Sequence, residues 1–227
     1  MNYLDDMKVP VTGNVEKIRK YCEDNDIFYL KSTMILPKEI EYEVQEIYDR
    51  GYFVQHRSNT VGDDWLGCTL HGWGTTQPDF KNTRHHTNLS RDQVKYGWTQ
   101  IQQFAPVTTK FIAENFEISS LRRVRFMLLK PGGSIGAHSD TPSRNIFGSL
   151  NCAITQPDNC YLRRADSCQE IPFSPGSIFY FDHSVTHEAK NDSNENRFHL
   201  LIYRDQCNKG TDDFEKSFNR LYPDITL

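Results

Sequence analysis

The second half of the chain constrains the fold most, because after Glu117 it consists of short β-rich runs broken by Gly/Pro turns. Turns such as Pro131-Gly132-Gly133 and Ser174-Pro175-Gly176 interrupt these runs at close intervals. The runs predict strands over Leu121–Lys130, Ile135–His138, Ser149–Thr155, Cys160–Arg164, Glu170–Phe173, Ser177–Asp182 and Arg197–Tyr203. Strands spaced this closely, with turns of this chemistry between them, predict a β-sandwich or barrel.

The first half of the chain mixes helical and extended patterns around this predicted core. Apolar residues at helical spacing predict helices, and a further helix closes the chain: Val15–Cys22, Lys38–Asp49, Trp98–Asn115 and Asp212–Leu221. Ile27–Lys31 and Trp65–His71 are predicted strands, and Tyr52–His56 is predicted to be extended. We predict a single domain, with supporting helices, strands and substrate loops over 1–117, the β core over 118–205 and a C-terminal tail over 206–227.

Composition narrows the class of protein. The 227 residues carry 26 Lys+Arg against 30 Asp+Glu, a net charge of −4, which argues against the basic surface typical of duplex nucleic-acid binding. No apolar run approaches the roughly 20 residues that cross a bilayer, and the first residues lack the pattern of a secretory signal. The six cysteines include no CxxC pair, so we expect free thiols rather than structural zinc. We therefore expect a cytoplasmic protein.

Three side chains in the second half have the types and spacing of a metal site. His138 and Asp140 are two residues apart, so in an extended segment they project from the same face. His187, which follows a turn and the aromatic run Ile178–Asp182, is the third ligand from a distant part of the chain. Two histidines and one carboxylate that leave metal positions open are diagnostic of non-haem Fe(II) oxygenases.

Arg197 is the fourth residue of this predicted site. It lies ten residues after His187 and opens a predicted strand whose alternation places it on one face with His199, Leu201 and Tyr203. An inward arginine needs a partner, because an unpaired buried charge is costly. A carboxylate that binds in a bidentate manner is such a partner. If that carboxylate belongs to a bound dicarboxylate co-substrate, Arg197 and the three metal ligands form one site.

Taken together, these motifs resemble the Fe(II)- and 2-oxoglutarate-dependent oxygenases, in particular the aspartyl/asparaginyl β-hydroxylase-like branch. The residues that carry the resemblance are Arg125–Asp140, Pro175–Asp182 and His187–Leu200, and they cover roughly the last half of the chain. Some animal members of the family lack the acidic ligand. Because Asp140 is present, the chain is more similar to the bacterial and phage members.

The resemblance implies a fold, a reaction and a set of roles. The implied fold is α+β or mainly β: a double-stranded β-helix (jelly-roll, cupin-like) core with supporting N-terminal helices. The implied cofactors and co-substrates are Fe(II), 2-oxoglutarate and O2, with Arg197 on the distal carboxylate of 2-oxoglutarate. Asn151 is implied as a further polar contact, and its alternative is an ordinary buried, hydrogen-bonded asparagine. The implied reaction hydroxylates an aliphatic carbon of an amino acid, or of an Asp, Asn or Pro side chain in a peptide, and releases succinate and CO2.

Several assignments stay open at the level of sequence. Substrate contacts are predicted for residues that border the metal site or cluster at its mouth, and the alternative for each is solvent or ordinary packing: Arg144, Arg125, Trp65, His71 and Trp73. His183 is predicted to be a turn residue rather than a ligand, and His199 a hydrogen-bonded core histidine. The partner is expected to be a small-molecule amino acid or a peptide or protein substrate, without nucleic acid or membrane. The oligomeric state is open, and the alternative function is a non-enzymatic cupin-like metal- or ligand-binding or sensor module.

Overall fold

The structure, a computed structural model, describes residues 20–56, 64–72, 96–140, 149–204 and 220–223. Within these ranges the strands, numbered in chain order, are β1 Tyr29–Ile35, β2 Val54–Gln55, β3 Trp65–Gly72, β4 Gly97–Trp98, β5 Leu121–Leu129, β6 Ser134–His138, β7 Ser149–Ala153, β8 Cys160–Arg164, β9 Ser177–Phe181, β10 His187–Asn191 and β11 Arg197–Arg204. The helices are α1 Ile40–Asp49 and α2 Pro106–Asn115, with short 3-10 helices at Gln100–Phe104 and Ile118–Ser120. No helix in these ranges is long and apolar enough to cross a membrane.

Two antiparallel sheets make up the β core of the described residues. The larger sheet has the order β1-β9-β7-β11-β5-β3-β2, with β4 paired to β3, and the smaller sheet has the order β6-β10-β8. Neighbours in space are distant in sequence, as when β11 pairs with both β5 and β7. This arrangement confirms the predicted double-stranded β-helix fold class.

The two faces of the larger sheet have different surroundings. On β11, Phe198, Leu200 and Ile202 pack in the main hydrophobic core together with residues of α1 and α2. The alternate residues Arg197, His199, Leu201 and Tyr203 line a cavity on the opposite face. Strands β5 and β7 alternate in the same way, since successive side chains of a strand point to opposite faces. The helices therefore support the sheet from behind, and its polar side chains face the cavity.

The prediction of one long helix over Trp98–Asn115 is wrong. The structure breaks this segment into the end of β4, the 3-10 helix Gln100–Phe104 and helix α2. The break falls at Ala105, whose φ of −132° and ψ of 50° are not helical. Pro106 explains the break, because proline disfavours the helical conformation of the residue before it but is well placed at the first helical position.

Two further differences concern the predicted strands. Glu170–Phe173 contributes only an isolated bridge between Glu170 and Arg163, and Pro172 lacks the N–H that a longer ladder requires. Conversely, β10 was not predicted, because its sequence His-Glu-Ala-Lys-Asn is polar and lacks the apolar alternation of a strand. In the structure its alternate residues are nevertheless buried. Of the terminal helices, 20–24 and 220–221 are helical, and the rest of both predictions lies outside the described residues. The division into supporting, core and tail segments stays a prediction.

Glu43 connects the two helices through hydrogen bonds. Its buried carboxylate accepts the N–H groups of Val107 and Thr108 at 2.6 and 3.0 Å and the Thr108 hydroxyl at 2.6 Å. Helix α2 has no capping side chain of its own, so Glu43 satisfies the N–H groups that the start of any helix leaves unpaired.

Replacing Glu43 with alanine is expected to lower the free energy of unfolding by about 3 kcal/mol, because buried donors lose a charged acceptor. Urea denaturation of the wild-type protein and the variant measures this change. The matched control is Glu41→Ala on the exposed side of the same helix, which should change stability by less than about 0.5 kcal/mol. Equal effects of the two substitutions would contradict the capping role.

Candidate active site

The three predicted metal ligands meet where the smaller sheet ends. His138 is the last residue of β6 and His187 the first of β10, and the two are direct partners in the antiparallel pair. Their ring centroids are 4.4 Å apart. Asp140 follows two residues after His138, and its Oδ1 lies 4.0 Å from His138 Nε2. One ligand atom from each residue lies within 4.8 Å of the others, so the three side chains can hold one metal ion.

Backbone carbonyls orient both imidazole rings toward this point. His138 Nδ1 lies 2.8 Å from the Gly136 oxygen, and His187 Nδ1 lies 2.8 Å from the Val185 oxygen. Because a carbonyl only accepts, each Nδ1 carries the hydrogen and each Nε2 keeps a lone pair for a metal. Metal-binding histidines almost always have such a second hydrogen bond, which fixes the tautomer and the ring orientation.

Asp140 is held in its ionised form by the surrounding imidazoles. Burial by itself raises the pKa of Asp140, but the hydrogen bond from His183 and the nearby rings of His187 and His138 outweigh it and lower the pKa to about 2. The carboxylate is therefore charged at neutral pH. It adds one negative charge to two neutral nitrogens, the donor set of a 2-His-1-carboxylate Fe(II) site.

His187 is held in its neutral form. Burial lowers the pKa of His187 from 6.5 to about 4, and its hydrogen bond to Val185 offsets this only in part. The folded protein therefore keeps this ring neutral and ready to bind a metal in mildly acidic solution.

The metal-free protein is expected to lose stability as the pH falls from about 6.5 to about 4. In this range the unfolded chain takes up a proton at His187 and the folded chain does not, so acidification favours unfolding. The titration of His187 is expected to lower the free energy of unfolding by about 3 kcal/mol over the whole of this pH range. Denaturation at a series of pH values measures it, with His187→Gln as the variant that lacks this group. An identical pH slope in the two proteins would show that His187 does not contribute.

Arg197 lies in the same cavity and is 5% exposed. Its Nε donates to the Gln156 side-chain oxygen at 3.1 Å, and its guanidinium carbon lies 5.4 Å from the centroid of the Phe173 ring. Burial lowers the pKa of Arg197 to about 10, so the group stays charged at neutral pH. Among the described residues it forms no ion pair, and the predicted carboxylate partner is not a side chain of this part of the protein.

A hydrogen-bond network around Asn191, whose role was not predicted from the sequence, shapes the turn before Arg197. The buried side chain of Asn191 donates to the carbonyls of Leu129 and Glu195 and accepts from the N–H and hydroxyl of Ser193. These bonds shape the turn that leads into β11. The Asn191-Asp-Ser193 string was part of the family resemblance, and this network is the physical reason why those residue types suit that turn.

A cavity of about 270 Å³ contains the site, and three of the four predicted contact residues that the structure describes line it. Asn151 and Arg125 are buried and flank Leu201 from opposite sides, on β7 and β5. Trp65 also lines the cavity. His71 does not: it is buried against Trp98, with ring centroids 4.9 Å apart, so its predicted substrate contact receives no support. Arg144 and Trp73 lie outside the described residues.

Three further histidines line the cavity. His56 lies at the rim with its ring centroid 4.2 Å from that of Trp65. His183 lies in a turn, as predicted, but it contacts Asp140. His199 is buried against Phe173 as expected of a core residue, yet its Nε2 has no hydrogen-bond partner in the described part of the chain. Only the alternation along β11 signalled that His199 faces the cavity.

The family is settled by comparison of the sequence with protein-family models. The model described as aspartyl/asparaginyl beta-hydroxylase matches residues 37–205, most of the chain. The chain belongs to this family. It is an oxygenase enzyme that uses Fe(II), 2-oxoglutarate and O2, and the cavity offers the donor set for that metal. The family assignment also sets aside the alternative of a non-enzymatic cupin-like module.

Three solved structures are similar to the chain at low sequence identity. A Pseudomonas putida prolyl-4-hydroxylase has 14% identity and a TM-score of 0.44, over 80% of this chain and 95% of that chain. A Trichoplax adhaerens prolyl hydroxylase, in complex with a hypoxia-inducible factor peptide fragment, has 14% identity and a TM-score of 0.46, over 88% and 96%. A 2OG-Fe(II) oxygenase from Burkholderia pseudomallei has 12% identity and a TM-score of 0.45, over 86% and 92%. Comparison with curated proteins found no match.

Proposed function

We propose that this oxygenase hydroxylates an aliphatic carbon of an amino acid, either free or as an Asp-, Asn- or Pro-type side chain in a peptide. The observation that carries the proposal is that His138, Asp140, His187 and Arg197 line one cavity. A metal site with open positions and a buried cation for a distal carboxylate are the two features that binding of Fe(II) together with 2-oxoglutarate requires.

The roles of the chain's own residues follow from their hydrogen bonds. The Nε2 atoms of His138 and His187 and one oxygen of Asp140 would hold Fe(II). Arg197 would hold the distal carboxylate of 2-oxoglutarate, with Asn151 as a further polar contact. When bound, Fe(II), 2-oxoglutarate and O2 supply the oxidation: one oxygen atom enters a substrate C–H bond, the other enters succinate, and 2-oxoglutarate loses CO2.

The apolar part of the cavity wall protects this chemistry from water. Between the charged groups the wall consists of Met127, Leu129, Ile135, Leu162, Phe181, Ala189 and Leu201. Such a wall lowers the local dielectric and strengthens the pairing of Arg197 with a carboxylate. The enzyme thus contributes placement, electrostatics and exclusion of water, whereas the metal and co-substrate contribute the oxidation.

The remaining cations of the cavity favour a substrate that bears a carboxylate. Arg125 is 4% exposed and lines the cavity together with Arg123, toward the end of β5 that is remote from Arg197. Guanidinium groups pair with carboxylates through two parallel hydrogen bonds. A free amino acid or an aspartyl side chain offers such a group next to the reacting carbon. The cytoplasmic location and the absence of a nucleic-acid partner stay predictions.

Succinate formation tests the proposed function directly. The protein is purified without oxygen, loaded with Fe(II) and 2-oxoglutarate, and exposed to O2 with a panel of amino acids and of Asp-, Asn- and Pro-containing peptides. We expect one substrate to raise succinate formation and to gain 16 mass units, and the gain should be 18 under ¹⁸O2. His138→Ala is the matched control. Turnover no higher than this control with every candidate would overturn the proposal.

A further inference from the structure

His183 contacts the metal site without belonging to its three ligands. It lies in the turn between β9 and β10 and is 7% exposed. Its ring stacks on Phe181, with centroids 4.0 Å apart and an interplanar angle of 19°. Its Nδ1 lies 3.1 Å from Oδ2 of Asp140, and its carbonyl accepts the Asp140 N–H at 2.9 Å. The side chain and the backbone of His183 thus both hold Asp140.

The hydrogen bond to Asp140 distinguishes this imidazole from a purely packing ring. A ligating carboxylate only accepts, so Nδ1 of His183 carries the hydrogen. The other ring nitrogen, Nε2, is buried and has no hydrogen-bond partner in the described residues. A phenyl ring would stack on Phe181 equally well and would not bury an unpaired nitrogen. What the imidazole adds at this position is therefore the bond to Oδ2.

The two oxygens of Asp140 consequently differ. Oδ1 lies 4.0 Å from His138 Nε2, on the side of the metal site, whereas Oδ2 is engaged by His183. We propose that His183 is a positioning residue that makes Asp140 a one-oxygen ligand and so keeps the remaining metal positions open for 2-oxoglutarate and O2. This inference rests on the proposed function, because it takes Asp140 as a ligand of the metal.

Two substitutions separate the hydrogen bond from the packing. His183→Phe keeps a ring on Phe181 but removes the donor, whereas His183→Asn removes the ring but keeps an N–H at the position of Nδ1. The probe is Co(II), titrated into the metal-free protein without oxygen or co-substrate. The titration measures the affinity of the protein for Co(II), and the visible absorption of the bound Co(II) reports the number of its ligands.

We expect His183→Phe to weaken Co(II) binding about 10- to 100-fold, the usual cost of losing a group that orients a metal ligand. The visible absorption bands of Co(II) bound to this variant should weaken. Without the hydrogen bond to Oδ2, Asp140 can bind through both oxygens, which raises the coordination number of Co(II) and lowers its absorption. His183→Asn should bind Co(II) with nearly wild-type affinity and spectrum.

Three results would overturn the proposal. One is wild-type affinity and spectrum in His183→Phe, which keeps the packing. Another is an equal loss of affinity in both variants, which would show that an N–H donor at the position of Nδ1 does not preserve metal binding. The third is a wild-type protein that binds no Co(II), which would overturn the proposed function as well, whereas the first two leave that function intact. Thermal unfolding of the metal-free proteins verifies that each variant is folded.

Discussion

Replacing Asp140 with alanine is expected to lower both Fe(II) affinity and substrate hydroxylation by more than about 100-fold, because losing even a group that merely orients a ligand costs 10- to 100-fold. The substitution removes the one negative charge of the donor set and leaves His183 without its acceptor. The two histidines alone would then hold the metal through neutral nitrogens. Iron titration and succinate formation at saturating 2-oxoglutarate measure the two effects.

The control for Asp140 is an aspartate that pairs with a basic side chain outside the cavity. Asp166 pairs with Arg164 at 3.0 Å on the surface, and its side chain is 60% exposed. Asp166→Ala should leave iron binding and hydroxylation unchanged. Full hydroxylation by the Asp140→Ala variant would show that two histidines suffice in this enzyme, as in the family members that lack the acidic ligand.

Replacing Arg197 with alanine is expected to raise the 2-oxoglutarate requirement by about 30- to 4,000-fold. The range follows from the 2–5 kcal/mol that truncation of a buried charged partner typically costs, at about 1.4 kcal/mol for each factor of ten. The cost is high because the substitution would leave a carboxylate buried opposite an apolar wall. The dependence of succinate formation on 2-oxoglutarate concentration, with Fe(II) saturating, measures the change.

Two further variants give this experiment its controls. Arg163 lies on the smaller sheet, pairs with Glu188 at 2.7 Å and is not part of the cavity wall, so Arg163→Ala should not alter the 2-oxoglutarate requirement. Arg197→Lys keeps a charge but loses the planar pair of donors, so it should recover only part of the loss. An unchanged requirement in Arg197→Ala would assign the distal carboxylate to another residue.

Both predictions concern residues that could be recognised from the sequence, because their chemistry is tied to local patterns. His138 and Asp140 share a face through a spacing of two, and the alternation along β11 places Arg197 inside. His187 was assigned as the third ligand because of its residue type and its place after an aromatic strand, but no local pattern fixes its distance from the other two. The structure brings His187 to His138 through the pairing of β10 with β6, a contact between segments about fifty residues apart in the chain.

Other features depend on contacts that no local pattern records. Helix α2 begins at Pro106 rather than at Trp98, and its first N–H groups bind Glu43 from another helix. Strand β10 has a polar sequence, so its place in the small sheet follows from pairing with β6 and β8 on both sides. His71 was predicted at the mouth of the site, but the pairing of β3 with β4 buries it against Trp98.

The sequence by itself indicated a β-sandwich or barrel and the metal-ligand types, since strand periodicity, turn chemistry and ligand spacing are local properties. The double-stranded β-helix and the co-substrate role predicted for Arg197 came from the family resemblance. Only the tertiary structure decided which groups surround the metal ligands and Arg197. His183 reaches Asp140 because the pairing of β6 with β10 brings the end of β6 next to the turn that precedes β10. The Gln156 side chain binds the guanidinium of Arg197, and the turn shaped by Asn191 leads into the strand that carries it. These are long-range contacts, and their energies depend on burial that only the folded chain creates.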